Sequence, residues 1–101
     1  SISLLSAMKI TGVKRLLFSS TAAIYGEPEY SPIDENHPLK TLNPYGNTKL
    51  IIENILSDIF NNEKDWSIIS LRYFNPIGSH STGLIGDPSL EIALIFLVNK
   101  I

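Results

Sequence analysis

Tyr45 and Lys49 stand four residues apart, the spacing that puts two side chains on one face of a helix and lets both reach a single ligand. A phenol with an ordinary pKa near ~10 is a poor base at neutral pH. An ammonium beside it stabilises the phenolate, so the two together can act as one acid/base unit. The same spacing also fits a tyrosine packed on its helix with a lysine facing solvent, and spacing alone leaves both readings open. Ser19, Ser20 and Thr21 form a second group at the end of an apolar run. A hydroxyl both donates and accepts, so one placed there could bond a substrate hydroxyl and relay its proton to the phenolic base. Small polar residues also end strands merely to turn the chain. Phe74 and Asn75 close a later apolar run in the same relative place, as a candidate wall and a candidate polar contact.

The other polar residues offer less. His37 and His80 fall in a proline-rich and a glycine-rich stretch, with no carboxylate at metal-ligand spacing, so no metal centre is expected. Glu53 lies one turn after Lys49 and is placed to form an ordinary ion pair with it. Trp66 and the isoleucine-rich helix read as packing material. The chain has no cysteine, which removes disulfides, a thiol nucleophile and thiolate metal sites. It also has no Gly-x-Gly-x-x-Gly or phosphate loop, so these residues do not by themselves make a complete dinucleotide site.

The elements that must position these groups follow from periodicity. Ile2, Leu4, Leu5, Met8 and Ile10 recur at roughly helical spacing, and Gly12 supplies a stop. No N-cap precedes this helix, which reads as the tail of an element begun upstream. Residues 13–20 carry Val13, Leu16, Leu17 and Phe18 in an apolar run that ends in Ser19, Ser20 and Thr21, the pattern of a strand buried on both faces in a parallel sheet. Residues 26–44, which include His37, hold four prolines and one glycine and are expected to form a long surface loop without regular structure. Asn43 before Pro44 predicts an N-cap with proline in the first turn, opening a helix that runs to about Asn62. Residues 66–74 predict a second buried strand, closed by Asn75-Pro76. Glycines and a proline make residues 78–88 a loop, and residues 90–98 read as a last apolar helix.

Helix, strand, loop, helix, strand is the alternation of βαβ units in an α/β fold with a mostly parallel sheet. Only two strands are evident, fewer than a stable sheet needs, and the missing ones are expected upstream. At 101 residues and 44% hydrophobic the chain has the composition of one globular domain or part of one. A net charge of -2 gives no footprint for nucleic acid or an anionic membrane. No stretch reaches the ~20 apolar residues of a membrane helix, and Ser1 to Ser6 lack the features of a signal peptide, so a soluble cytoplasmic protein is expected.

With these groups in place the chain closely resembles the UDP-glucose 4-epimerase family of the extended short-chain dehydrogenases/reductases. The resemblance runs through residues 13–26, through Asn-Pro-Tyr-Gly-Asn-Thr-Lys from Asn43, and through Leu-Arg-Tyr-Phe-Asn-Pro-Ile-Gly from Leu71 to Gly83-Leu-Ile-Gly-Asp87. It covers most of residues 1–88, which it makes the C-terminal part of an NAD-binding Rossmann-like domain. Residues 89–101 become a divergent apolar tail or the start of a substrate-domain region.

The resemblance implies NAD-dependent interconversion of UDP-glucose and UDP-galactose through a 4-keto intermediate, as part of a longer enzyme. In that reading Tyr45 is the acid/base, Lys49 binds the nicotinamide ribose and eases loss of the tyrosine proton, and Thr21 bridges to the sugar hydroxyl. Ser19 and Ser20 line the cofactor site, Phe74 sits beside the nicotinamide, and Asn75 contacts the substrate diphosphate. A cytoplasmic homodimer, joined through a bundle that includes the Tyr45 helix, is implied as well. Related 4,6-dehydratases carry Thr-Asp-Glu where this chain has Thr21-Ala22-Ala23, which counts against water elimination. Other NAD(P)-dependent sugar-nucleotide enzymes remain as alternatives, as do a binding module and an inactive fragment with a structural role. Two departures matter: the glycine-rich phosphate turn is absent, and no Ile-Pro-Asn-Asn-Leu-like stretch follows Pro88. The isolated 101 residues are therefore expected to be inactive.

Overall fold

The computed structural model describes residues 1–63, 65–75 and 96–100, the last of these as backbone only. Helix α1 (Ile2–Thr11) leads into strand β1 (Arg15–Thr21), a 3₁₀ turn (Ala22–Ile24), helix α2 (Pro44–Asn62), and strands β2 (Ser67–Tyr73) and β3 (Phe96–Lys100). The sheet order is β1-β2-β3. β1 and β2 are parallel, with Arg15 opposite Ser67 and Thr21 opposite Tyr73. The fold is α/β, a parallel strand pair linked through a helix, as part of a Rossmann-like sheet.

Local chemistry sets the helix boundaries. α1 ends at Gly12, whose left-handed backbone (φ 74°) turns its N–H back to the Met8 carbonyl. α2 starts at Asn43, whose side-chain oxygen accepts from the Gly46 N–H at 2.7 Å, and Pro44 follows in the first turn, where its missing N–H costs nothing. Leu5 and Met8 of α1 and Leu56 of α2 close over Trp66 and Ile68, with Leu16 and Phe18 of β1 packed alongside. Burying one such aliphatic side chain is worth roughly 1.5–3 kcal/mol, and this cluster is where both helices are held to the sheet.

Two expectations change. Val13, Leu16, Leu17 and Phe18 make residues 13–20 read as an apolar run, yet exposure alternates along β1, and among the described residues nothing covers Leu17, which is 61% exposed. The helices contribute their packed residues to the face that carries Leu16 and Phe18. A continuous apolar run reports the hydrophobicity of both faces, whereas burial depends on which elements cover each. The second change concerns the last apolar segment. Residues 90–95, like the expected loop and His80, lie outside the described residues, but residues 96–100 form β3 rather than the end of a helix. β3 runs antiparallel to β2, with Tyr73 opposite Phe96 and Ile69 opposite Lys100. A short apolar run does not reveal its own period, and the unpaired edge of β2 supplies the hydrogen-bonding partner that makes it a strand. A third strand thus joins the two legible in sequence.

Candidate functional site

The strand ends, the start of α2 and the 26–43 segment meet in one region because α2 approaches very closely. An added Cβ at Gly46 would lie 2.7 Å from the Ala23 carbonyl oxygen, so only glycine lets the first turn of α2 rest on the 3₁₀ turn. That contact carries Tyr45 and Lys49 to the end of β1. Lys49 donates from Nζ to the Ser19 carbonyl at 2.9 Å. The same ammonium stands 5.1 Å from the centre of the Phe18 ring and 5.9 Å from that of Tyr45. Tyr45 itself is 57% exposed.

Thr21, Phe74 and Asn75 lie on the neighbouring side of the strand ends. They share an open cleft of about 360 Å³ with Ala22, Ala23 and Pro28. Thr21 Oγ1 accepts from the Ala23 N–H at 3.2 Å, which caps the 3₁₀ turn and leaves the hydroxyl proton for another partner. Ser19 and Ser20 part company. Successive strand residues face opposite sides; Ser19 is exposed, whereas Ser20 is 4% exposed, and its hydroxyl finds no partner among the described residues. The structure therefore brings Tyr45, Lys49 and the Ser19 carbonyl together, and separately groups Thr21, Phe74 and Asn75.

The expected Lys49–Glu53 pair does not form. Glu53 points inward and receives three hydrogen bonds from Arg72: Nη2 to Oε2 at 2.7 Å, and Nε to Oε1 and Oε2 at 3.2 and 3.3 Å. Arg72 Nη1 donates to the Tyr25 hydroxyl at 2.9 Å. Arg72 and Glu53 are 3% and 4% exposed. Burial works to lower the guanidinium pKa, but the bonds to Glu53 and Tyr25 outweigh it and hold the group above its ordinary value. Sequence reasoning passed over this network. The signal was the inward phase: Arg72 alternates with Ser70 and Ile68 on β2, and a charge in that phase requires a buried counter-charge.

His37, expected to sit in a surface loop, is 2% exposed. Its Nε2 accepts from the Glu29 N–H at 3.0 Å, which leaves the proton on Nδ1 to donate to the Pro38 carbonyl at 2.9 Å. The imidazole meets Tyr25 edge-on at 5.4 Å, and Tyr25 stacks on Phe74 at 6.4 Å. The Lys40 N–H bonds the Ile24 carbonyl at 3.0 Å, closing the segment over this aromatic group. Gly26 makes that closure possible: its φ is 65°, and a Cβ there would lie 2.0 Å from the Lys40 carbonyl oxygen. Tyr30, farther out, donates to Asp34 at 2.8 Å, and that bond, with the adjoining carboxylate charge, pushes its phenol up to about 12.

Comparison with known proteins bears on most of the chain. A profile of the NAD dependent epimerase/dehydratase family matches residues 1–96. UDP-glucose 4-epimerase 4 of Oryza sativa subsp. japonica is 53% identical over 87 residues, 86% of this chain and 24% of that protein. UDP-glucose 4-epimerase of Bacillus subtilis is 52% identical over 84 residues, 83% of this chain and 25% of the relative. Among solved structures, UDP-glucose 4-epimerase from Bifidobacterium longum, in complex with NAD+ and UDP, superposes with a TM-score of 0.74 at 47% identity. The match covers 85% of this chain and 26% of that one. The chain thus spans about a quarter of the length of the proteins it matches.

Proposed function

Because the chain belongs to the NAD dependent epimerase/dehydratase family, we propose that it supplies the acid/base side of an NAD-dependent UDP-hexose 4-epimerase that interconverts UDP-glucose and UDP-galactose. The observation that carries this reading is the Lys49 ammonium, anchored on the Ser19 carbonyl beside the exposed Tyr45 at the strand ends. The residues present fit part of the cofactor. An ammonium and a phenol at an open strand end suit ribose hydroxyls, whereas a glycine-rich phosphate cradle is not among the 101 residues. NAD, when bound, supplies the acceptor and donor of hydride at the sugar carbon.

The chain's own groups handle the proton and the orientation. Tyr45 removes the proton from the sugar 4-hydroxyl and returns it after the 4-keto sugar has turned over, and Lys49 holds positive charge beside the phenolate through both steps. Thr21 bonds the sugar hydroxyl from the cleft side. Ser19 and Ser20 belong to the wall on the cofactor side, Phe74 flanks the ring that exchanges hydride, and Asn75 meets the diphosphate. Ala22 and Ala23 put no carboxylic acid at the two positions after Thr21, which counts against water elimination. Among the described residues no helix is long and apolar enough to cross a membrane. The reading includes a cytoplasmic location and a homodimer joined through the α2 side.

Tyr45→Phe, made in the protein at its natural length, tests the assignment. Turnover of UDP-galactose is expected to fall by about 10² to 10⁴, with KM little changed. Retained turnover would remove Tyr45 from the acid/base role. Absence of epimerisation in the unaltered protein would remove the epimerase reading itself.

A further inference from the structure

We propose that Arg72, with Glu53 and Tyr25, is a positioning device that sets where α2 delivers Tyr45 and Lys49. In its activity arm this rests on the epimerase reading. Arg72 bonds both a residue of α2 and a residue of the segment following the 3₁₀ turn. Through Nε and Nη2 it grips Glu53, one turn beyond Lys49. Through Nη1 it holds the Tyr25 hydroxyl, and the Tyr25 ring stacks on Phe74 and meets His37 edge-on. Arg72 lies opposite Ser20 in the β1–β2 register, next to the Ser19 carbonyl that receives Lys49.

An apolar contact would hold α2 to the sheet but let it slide along the strand direction, because dispersion has little directional preference. A planar guanidinium with four donated bonds to three acceptor atoms on two residues permits no such slide. The strong bonds lie a single turn from Lys49, where a displacement of α2 would be felt at Ser19, and not at the Leu56 end, where the packing is apolar. The grip also sets Phe74 against Tyr25, so one residue ties the cleft wall to the helix that carries the acid/base pair. Tyr45 and Lys49 share a helix and keep their mutual spacing whatever α2 does. What the device sets is their distance to groups on the strands, and misplacement of about 1 Å can cost on the order of 10²-fold in rate.

Tyr25→Phe deletes one oxygen and leaves the ring contacts in place, so it can be expected to fold; Glu53→Gln removes the counter-charge; Leu56→Ala weakens α2 through the apolar cluster and serves as the control. All three are made in the protein at its natural length. Kinetics are normalised to folded protein and accompanied by amide hydrogen exchange. Tyr25→Phe should lower kcat roughly tenfold with KM within about twofold, and Glu53→Gln more. Leu56→Ala should lower the melting temperature and leave kcat per folded molecule unchanged. Exchange in both site variants should rise at residues 26–42 and 45–50 while residues 55–62 keep their protection. Unchanged kcat per folded molecule in Tyr25→Phe, or exchange rising evenly along α2, would overturn the proposal. If the unaltered protein does not epimerise UDP-hexoses, the function reading fails, and the exchange pattern alone decides the positioning role.

Discussion

The two ends of the β1–β2 pair are built from different materials. At the start of the strands, Leu5, Met8, Leu56, Trp66 and Ile68 form an apolar cluster, and the ion pairs there, Lys9 with Glu63 and Lys14 with Asp65, lie at the surface. At the other end Ile24 and Tyr25 are, among the described residues, the buried hydrophobics of their cluster, and Arg72, Glu53, His37 and Ser20 are buried around them. Apolar packing is non-directional and tolerates small shifts, so it stabilises without dictating position. Directional bonds between buried polar groups cost desolvation and add little net stability, but they specify geometry. The polar end is also where the candidate acid/base pair and the cleft lie. Stability and placement are thus assigned to opposite ends of the same two strands.

The largest effect that would break this contrast is at the apolar end. Leu56→Ala is expected to cost about 2–5 kcal/mol through lost transfer energy and the cavity left behind, measured by urea unfolding. An equal loss of turnover per folded molecule in that variant would mean that the two ends are not separable. Next comes the cap that starts the helix of the polar end. Asn43→Ala removes the acceptor for the Gly46 N–H and should cost about 1 kcal/mol. It should also raise exchange in the first turn, where Tyr45 lies, and an even effect along α2 would count against a locally held helix start.

A smaller effect is expected at Ser70, which is fully buried on β2 between Ile68 and Arg72 and has no hydroxyl partner among the described residues. Ser70→Ala removes a desolvated hydroxyl and should leave stability unchanged or raise it by up to about 1 kcal/mol. A clear loss of stability would reveal a bonded hydroxyl and extend the polar end toward the apolar one. The surface pairs should matter least. Hydrogen bonding to Lys9, above all, holds the Glu63 carboxyl below its ordinary value of 4.5, and Lys14 acts likewise on Asp65. A carboxyl depressed on folding contributes stability that is present above its unfolded pKa and lost as pH falls through its folded one. Lys9→Met should therefore leave the neutral-pH urea midpoint nearly unchanged and flatten its decline below pH ~4.5. A steep residual decline would place the acid-sensitive groups elsewhere.

Much of the scaffold was legible because it is written locally. Asn43-Pro44 and Gly12 mark helix ends by hydrogen-bonding and backbone rules that involve only their neighbours, and the Tyr45–Lys49 spacing needs nothing beyond helical geometry. The apolar runs located β1 and β2 to within two residues at either end. The misreadings share one cause. Glu53 was given Lys49 as a partner because Lys49 is near in sequence, whereas its counter-charge lies nineteen residues on, across the helix–sheet interface. His37 was placed at the surface because prolines surround it, yet Tyr25 and Tyr30 enclose it in space. Residues 96–100 carried no period of their own and took strand form from the edge of β2.

The sequence alone determined which residues could do acid/base chemistry, that two of them share a helix face, and that strands and helices alternate as in an α/β fold. These follow from side-chain chemistry and from periods of two and 3.6, which act between near neighbours. Only the tertiary structure decided that Lys49 reaches the Ser19 carbonyl, that Glu53 belongs to Arg72, that Ser20 is buried while Ser19 is not, and that Leu17 on β1 is exposed among the described residues. Each of these depends on where α2 comes to rest on the sheet. That placement follows from Gly46 packing on Ala23 and from the buried charge pair acting together, and no short window of sequence contains both.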